Sequence, residues 1–282
     1  MGNDNILNYM IENKHRMSKK HQYLVDYVLE NHQDISLMSA SELSKQVGVG
    51  KTTVLRFIHE LGFDSFYSLK KELLKLQKNY SNKWENIQSS YEKDDDGRVV
   101  NIVWKEQKRL LDDMMTPHLM ENYDAAIDLM VKSRTINLLG MRPYRAATVY
   151  MEALVKEFSQ DIRQLSQDSE SIIDQLLHLG SEDVIIIFEF SPHLAKSVDV
   201  AEIAHSRGIP VIFITDNVLS PIIKFSDIIL ELNSSQRYFT LIPMMALIEI
   251  MVVELGQRQS PDAVDNIKLL STLLKEKGYM VD

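Results

Sequence analysis

Residues 183–188 read Asp-Val-Ile-Ile-Ile-Phe and residues 210–215 read Pro-Val-Ile-Phe-Ile-Thr. A strand with one wet face alternates apolar and polar side chains. A run that is apolar at nearly every position has to be covered on both sides, which is the situation of a central strand in a parallel sheet. Weaker runs of the same kind lie at 135–139, ending at Gly140, at 162–165 and at 227–232. Between them the spacing predicts helices over 145–158, over 169–179 with Gly180 as its stop, and over 192–207 with Gly208 as its stop. A short helix capped by Ser220-Pro221 and a long apolar helix over 240–255 follow. Strand, loop and helix in this alternation predict an α/β fold, a doubly wound αβα layer with a five-stranded parallel sheet and right-handed crossovers.

The residues ahead of this layer keep a different rhythm. Ser39 and Glu42 have the Ser-x-x-Glu spacing of a capping box, in which each side chain satisfies an unpaired backbone N–H at a helix start. A short helix is expected from Ala40, broken after two turns at Gly48-Val49-Gly50, with a second from Lys51 to just before Gly62. In the second, Val54, Phe57, Ile58 and Leu61 fall at i, i+3, i+4 and i+7 and make one apolar face. Lys51, Thr52, Leu55, Arg56 and His59 are left on the other. Two short helices about a glycine turn are what a helix-turn-helix needs to set a recognition helix in a DNA major groove. Periodicity alone leaves a second reading open, in which the polar face is ordinary solvated surface. A further helix, from Ser18 through Tyr23, Leu24, Tyr27 and Val28, completes a three-helix core, so the N-terminal domain is expected to be all-α. Lys70, Lys71, Lys75 and Lys78 on the next helix read as a solvated face. Residues 79–97, with Asp94-Asp95-Asp96, have the composition of a linker. Helical periodicity resumes over 99–115 and again from Thr116-Pro117 to Lys132.

The expected domains are 1–80 for the helix-turn-helix, 81–120 for a linker and connecting helix, 121–260 for the α/β domain, and 261–282 for a C-terminal helix or tail. A length of 282 residues allows two domains with separate cores. The absence of cysteine excludes disulfides and thiolate chemistry. Net charge is −9, yet residues 1–80 carry 11 Lys and Arg against 9 Asp and Glu, leaving −11 on the rest. A slightly basic head on an acidic body permits DNA contact, because phosphate contacts depend on local charge. No secretory leader and no bilayer-spanning run is visible, so a cytoplasmic protein without a membrane partner is expected. The scattered histidines lack a second ligand at metal spacing, so no metal site and no cofactor is expected.

Residues 38–66, through Thr-Val-Leu-Arg-Phe and Leu-Gly-Phe-Asp-Ser-Phe, resemble the N-terminal domain of RpiR-type transcriptional regulators. In the second half, Ile214-Thr215-Asp216, Ser220-Pro221 and Phe225-Ser226-Asp227 resemble the sugar-isomerase (SIS) fold that such regulators carry. The resemblance implies a homodimer or tetramer bound to a double-stranded DNA operator and a small-molecule effector, a sugar phosphate or related anion. On it, Lys51 is expected at phosphate, Thr52 and Arg56 at base edges, and Thr53 and His59 in support.

Ligands of open parallel sheets bind beyond the strands' carboxyl ends, where helix N-termini offer free N–H groups. Three loops qualify: 140–145, 189–194 and 215–220. In the SIS fold the first reads Gly-x-Gly-x-Ser and the second Ser-x-Ser-Gly-x-Thr, and their hydroxyls and N–H groups hold the phosphate. Here the first is Gly140-Met141-Arg142-Pro143-Tyr144, and the second is Glu189-Phe190-Ser191-Pro192-His193-Leu194. Glu189 conflicts with a bound phosphate, since a carboxylate about 4 Å from a dianion is repelled by on the order of a few kcal/mol. Two arrangements stay open. Arg142 and Arg145, with Tyr144, Ser191 and His193, bind an anionic ligand in an altered way, or Arg142 pairs with Glu189 and closes the pocket. Thr215 reads chiefly as a structural hydroxyl and Ser220 as a helix cap. The expected function is a DNA-binding regulator of sugar or amino-sugar metabolism, without catalytic residues. The rivals are an SIS-type phosphosugar isomerase with an accessory helical domain and a DNA-binding dimer with a vestigial pocket.

Overall fold

The computed structural model describes residues 6–35, 38–81, 83–91, 98–166 and 171–280. The chain divides into two compact units, the first made of residues 1–93 with 217–220 and the second of the remainder. The helical unit holds α1 (Ile6–Asn13), α2 (Lys19–Ile35), α3 (Ala40–Gln46), α4 (Lys51–Glu60), α5 (Phe66–Ser81) and α6 (Lys83–Tyr91). Helix α4 packs against α2, α3 and α5. Leu24 and Val28 of α2, Leu43 of α3, Phe57 and Ile58 of α4 and Leu69 of α5 are fully buried.

Two helices of this unit lie outside the expectations. Helix α1 buries Leu7 and Met10, and α6 buries Ile87 within the stretch whose composition reads as linker. The side chain of Lys78 and residues 92–97, which include the aspartate run, lie outside the described residues.

The second unit begins with α7 (Val99–Asp112) and α8 (Pro117–Lys132). Thr116 accepts the Leu119 N–H at 3.1 Å, with Pro117 in the first turn, where its missing N–H costs nothing. The sheet follows: β1 (Ile136–Leu139), β2 (Ile162–Gln164), β3 (Val184–Phe188), β4 (Val211–Thr215) and β5 (Ile228–Glu231), all parallel in the order β2-β1-β3-β4-β5. Its helices are α9 (Arg145–Val155), α10 (Ile172–Leu176), α11 (Ala195–Ser206), α12 (Ile242–Arg258) and α13 (Asp262–Glu276). Residues 169–170 of the predicted 169–179 helix are outside the described residues.

The continuous apolar runs behave as their composition requires. Val184, Ile186 and Phe188 enter one core with Ala126 of α8, Met151 of α9 and Leu247 of α12. Ile185 and Ile187, between them in sequence, enter a second core with Leu176 of α10 and Val200 of α11. Successive side chains of a strand point to opposite faces, so both faces of the sheet are covered and the double winding is complete. Asp183 ties the strand starts together: Arg134 donates to its two oxygens at 3.1 and 2.6 Å, and the Thr135 hydroxyl donates at 2.7 Å.

Candidate functional site

In the helical unit the capping box is formed in both directions. The Glu42 N–H donates to Ser39 Oγ at 3.2 Å, and the Ser39 N–H donates to Glu42 Oε2 at 2.7 Å. These bonds from Ser39 hold the Glu42 carboxyl below the usual carboxylate range. Gly48 ends α3 with φ +70°, and the N–H groups of Gly48 and Val49 return to the carbonyls of Lys45 and Ser44. A side chain at that backbone conformation is strained, which is why the turn between the two helices needs glycine there. Helix α4 then splits by environment. Val54, Phe57 and Ile58 are buried, whereas Lys51, Thr52, Arg56 and His59 are exposed and Thr53 is half-buried. His21 of α2 reaches the exposed Glu60 at 2.5 Å and lies 5.6 Å from the buried Phe57 ring, so it ties α2 to α4.

In the second unit the strand order reverses direction between β1 and β3, and a crevice at such a switch point is where open α/β sheets bind ligands. The loops leaving these two strands are the ones that hold Arg142, Tyr144, Arg145, Glu189, Ser191 and His193. Gly140 ends β1 with its N–H on Ser166 Oγ at 2.8 Å. A Cβ at Gly140 would lie 2.6 Å from the Tyr144 carbonyl oxygen, so only glycine lets α9 approach the strand this closely. Arg142, at the place of the second glycine in the SIS pattern, keeps a left-handed backbone with φ +53°.

Arg142 and Arg145 are exposed and border a shallow depression of about 720 Å³ that also touches Val149, Ala153 and Met245. Tyr144 points inward. It is 6% exposed, edge-on to the Phe190 ring at 5.8 Å. Burial first, then the charges of Asp216 and Glu189, push its phenol far above the usual range, so the ring stays neutral.

Glu189 is buried, and its partners decide the character of the second loop. Oε1 accepts the Leu194 N–H at 2.9 Å and Oε2 accepts the Ser197 hydroxyl at 2.5 Å. The carboxylate thus caps the start of α11, a favourable place for negative charge. This is why α11 starts at Ala195 and not at Pro192, as the sequence suggests. Arg142 is exposed, whereas Glu189 is buried. His193 Nδ1 lies 3.3 Å from Glu189 Oε1 without hydrogen-bond geometry, and Nε2 is 3.4 Å from Ser191 Oγ. The Ser191 N–H donates to Asp216 Oδ1 at 2.6 Å, and the Ser234 hydroxyl donates to Asp216 Oδ2.

Two backbone N–H groups that could hold an anion, those of Ser191 and Leu194, are therefore occupied by carboxylates of the chain itself. Thr215 is buried at the end of β4, where its carbonyl accepts the Leu232 N–H at 2.8 Å. Ser220 donates its N–H to the Asn217 carbonyl at 3.1 Å, and the short helix expected after it is a single 3-10 turn, Ile223–Phe225. The SIS resemblance included Asp216 without a role for it, and Ser197 was not singled out. Asp216 carried a signal, since it follows Thr215 at a strand end; Ser197 carried none. Among the described residues no group of three or more His, Asp or Glu side chains could hold a metal ion, and no helix is long and apolar enough to cross a membrane.

The architecture is that of a helix-turn-helix head joined to a sugar-isomerase-type α/β domain. The helix-turn-helix domain of the rpiR family matches residues 4–83, and the SIS domain matches residues 129–254. An uncharacterized HTH-type transcriptional regulator of Clostridium perfringens is 23% identical over 96% of this chain and 99% of its own. The HTH-type transcriptional regulator HexR of Pseudomonas aeruginosa is 21% identical over 99% of this chain and 98% of its own. Among solved structures, Vibrio vulnificus NanR complexed with ManNAc-6P aligns with a TM-score of 0.58 at 16% identity, covering 99% of this chain and 100% of NanR. The sugar isomerase domain of an RpiR transcription factor from Sphaerobacter thermophilus aligns with a TM-score of 0.57 at 17% identity, over 62% of this chain and 99% of that domain. The chain belongs to the RpiR-type family of transcriptional regulators.

Proposed function

We propose that the protein is a DNA-binding transcriptional regulator of sugar or amino-sugar metabolism, acting in the cytoplasm as a homodimer or tetramer, whose α/β unit senses a phosphosugar or a related anion. The observation that carries the first half is the division of α4, with Phe57 and Ile58 buried and Lys51, Thr52, Arg56 and His59 open to solvent. In this reading Lys51 meets phosphate, Thr52 and Arg56 meet base edges, and Thr53 and His59 support them. Paired heads then read a two-fold symmetric operator with half-sites one helical turn apart. Selection of bound sequences from a random DNA pool identifies the operator. Arg56→Ala is expected to weaken specific binding by about 1–3 kcal/mol with the fold unchanged. Equal operator affinity for the variant in a mobility-shift assay removes that role.

The family, the relatives named as regulators and the ManNAc-6P bound to NanR support the second half. In this reading Arg142, Arg145, Ser191 and His193 supply the cationic and hydroxyl contacts. An isomerase needs a carboxylate or imidazole free to move protons, and Glu189 is already engaged by Leu194 and Ser197. Turnover of a panel of phosphosugars is therefore expected to be nil, and isomerisation of any of them overturns the assignment. The occupied N–H groups of Ser191 and Leu194 favour one other reading, a regulator whose pocket is vestigial. Thermal shift separates the two, because a ligand at 100 times its Kd stabilises by about 2.7 kcal/mol.

A further inference from the structure

Helix α13 is out of proportion to its packing. It has 15 residues, and among them only Ala263 is buried. Ala263, Ile267, Leu270 and Leu274 fall at i, i+4, i+7 and i+11, the stripe of a helix that rests on a neighbour. Yet Val264, Ile267, Leu269 and Leu273 are between 43% and 58% exposed. A helix this short is marginal in water without a packed face. The missing cover belongs beside an apolar groove of about 660 Å³, lined by Tyr150, Leu154 and Phe158 on one side and by Val253, Val264 and Ile267 on the other. Val253 in that groove is 62% exposed.

The charges say what the cover is. Asp262 and Asp265 open α13, while its last turn holds Lys275 beside the terminal Glu276 and Lys277 follows. The groove also carries Glu157 and Glu249. A second α13 laid antiparallel about a two-fold axis at Leu270 sets Lys275 against Asp265 and Leu273 against Ile267. Lys275 and Lys277 at its C-terminal end then fall along the acidic groove. The same surface supplies ridge and groove, so the contact is isologous and closes at two copies.

We propose that two copies of this chain associate through α13, each inserting the second half of its helix into the partner's groove between α9, α12 and α13. This rests on the homodimer of the regulator reading and assigns it a surface. The test uses the full chain. Sedimentation equilibrium gives the dimer constant of the wild type and of Leu273→Asp and Val253→Asp. Both replaced side chains are exposed, so circular dichroism is expected to show intact folds. Leu177→Asp is the control, 63% exposed at the end of α10 in the layer across the sheet. The proposal expects the dimer constant to weaken by about 100-fold or more in each of the first two variants, as for central contacts of an interface, and to stay unchanged in the control. Because the chain has no cysteine, Leu270→Cys gives a second readout: a disulfide-linked dimer on mild oxidation. A monomeric wild type, a dimer constant unmoved by Leu273→Asp and Val253→Asp, or a dimer of Leu270→Cys that does not cross-link overturns the assignment. DNA selection stands apart from these outcomes and judges the regulator reading separately.

Discussion

Glu189 shows how one side chain sets the chemistry of a loop. A carboxylate at the start of α11 gives the helix N-terminus its anion from within. Replacing it with glutamine keeps one acceptor for the Leu194 N–H and leaves the Ser197 hydroxyl to find another. The expected cost is about 1–2 kcal/mol in urea denaturation. The same change removes a negative charge from the switch-point crevice, so a sugar phosphate that binds there is expected to bind about tenfold tighter, read by thermal shift. Unchanged or weaker binding by Glu189→Gln sinks the idea that Glu189 opposes the effector. The loops at 140–145 and 189–194 were legible because they follow the two strands that flank the reversal. The partners of Glu189 and of the Ser191 N–H were not. Ser197 comes from the first turn of α11 and Asp216, which takes the Ser191 N–H, from the end of the neighbouring strand, and tertiary packing alone decides which hydroxyl and which N–H meet a given carboxylate.

At the scale of elements the five strands fall within about a residue of their apolar runs, because a segment covered on both faces leaves no ambiguity of period. The polar start of the chain and the stretch after Ser81 were less legible. Helix α1 buries Leu7 and Met10 and α6 buries Ile87, too few apolar positions in short helices to declare a face. The turn between α3 and α4 is set by Gly48, and Gly48→Ala is expected to cost about 1 kcal/mol, measured as a lower midpoint in thermal melting. The strand starts depend on Asp183. Burial pushes its carboxyl up, but hydrogen bonds from Arg134, the Gly180 N–H and Thr135 outweigh this and hold it below the ordinary value of 3.8. A depressed folded-state value means a contribution present above that ordinary value and lost as pH falls through the folded one. Asp183→Asn is expected to lower stability by about 2–3 kcal/mol at neutral pH. Its deficit relative to wild type narrows in acid, and a deficit constant from pH 7 to pH 3 excludes the charge as its origin.

For the molecule as a whole, the charge division seen in the sequence has a measurable counterpart. A net charge of −9 leaves DNA affinity to local cations, and Lys51 is exposed at the first turn of α4. If it meets phosphate, Lys51→Ala reduces the slope of log affinity against log salt by about one and weakens all DNA sequences alike. A salt slope identical to wild type removes Lys51 from the contact. The two-part architecture was readable from rhythm alone, helical first and then alternating, whereas the reach of α13 was visible only once its single buried residue was known. The seating of Glu189 and Asp216 on the Ser191 and Leu194 amides also bears on the response curve of the whole protein. If the proposed effector anion binds these amides, it competes with groups tethered beside their own donors, whose local concentration the chain sets and dilution in the cell cannot lower. Onset of that response would then be displaced toward abundant solute, and a scarce or singly charged one would leave the resident carboxylates in place.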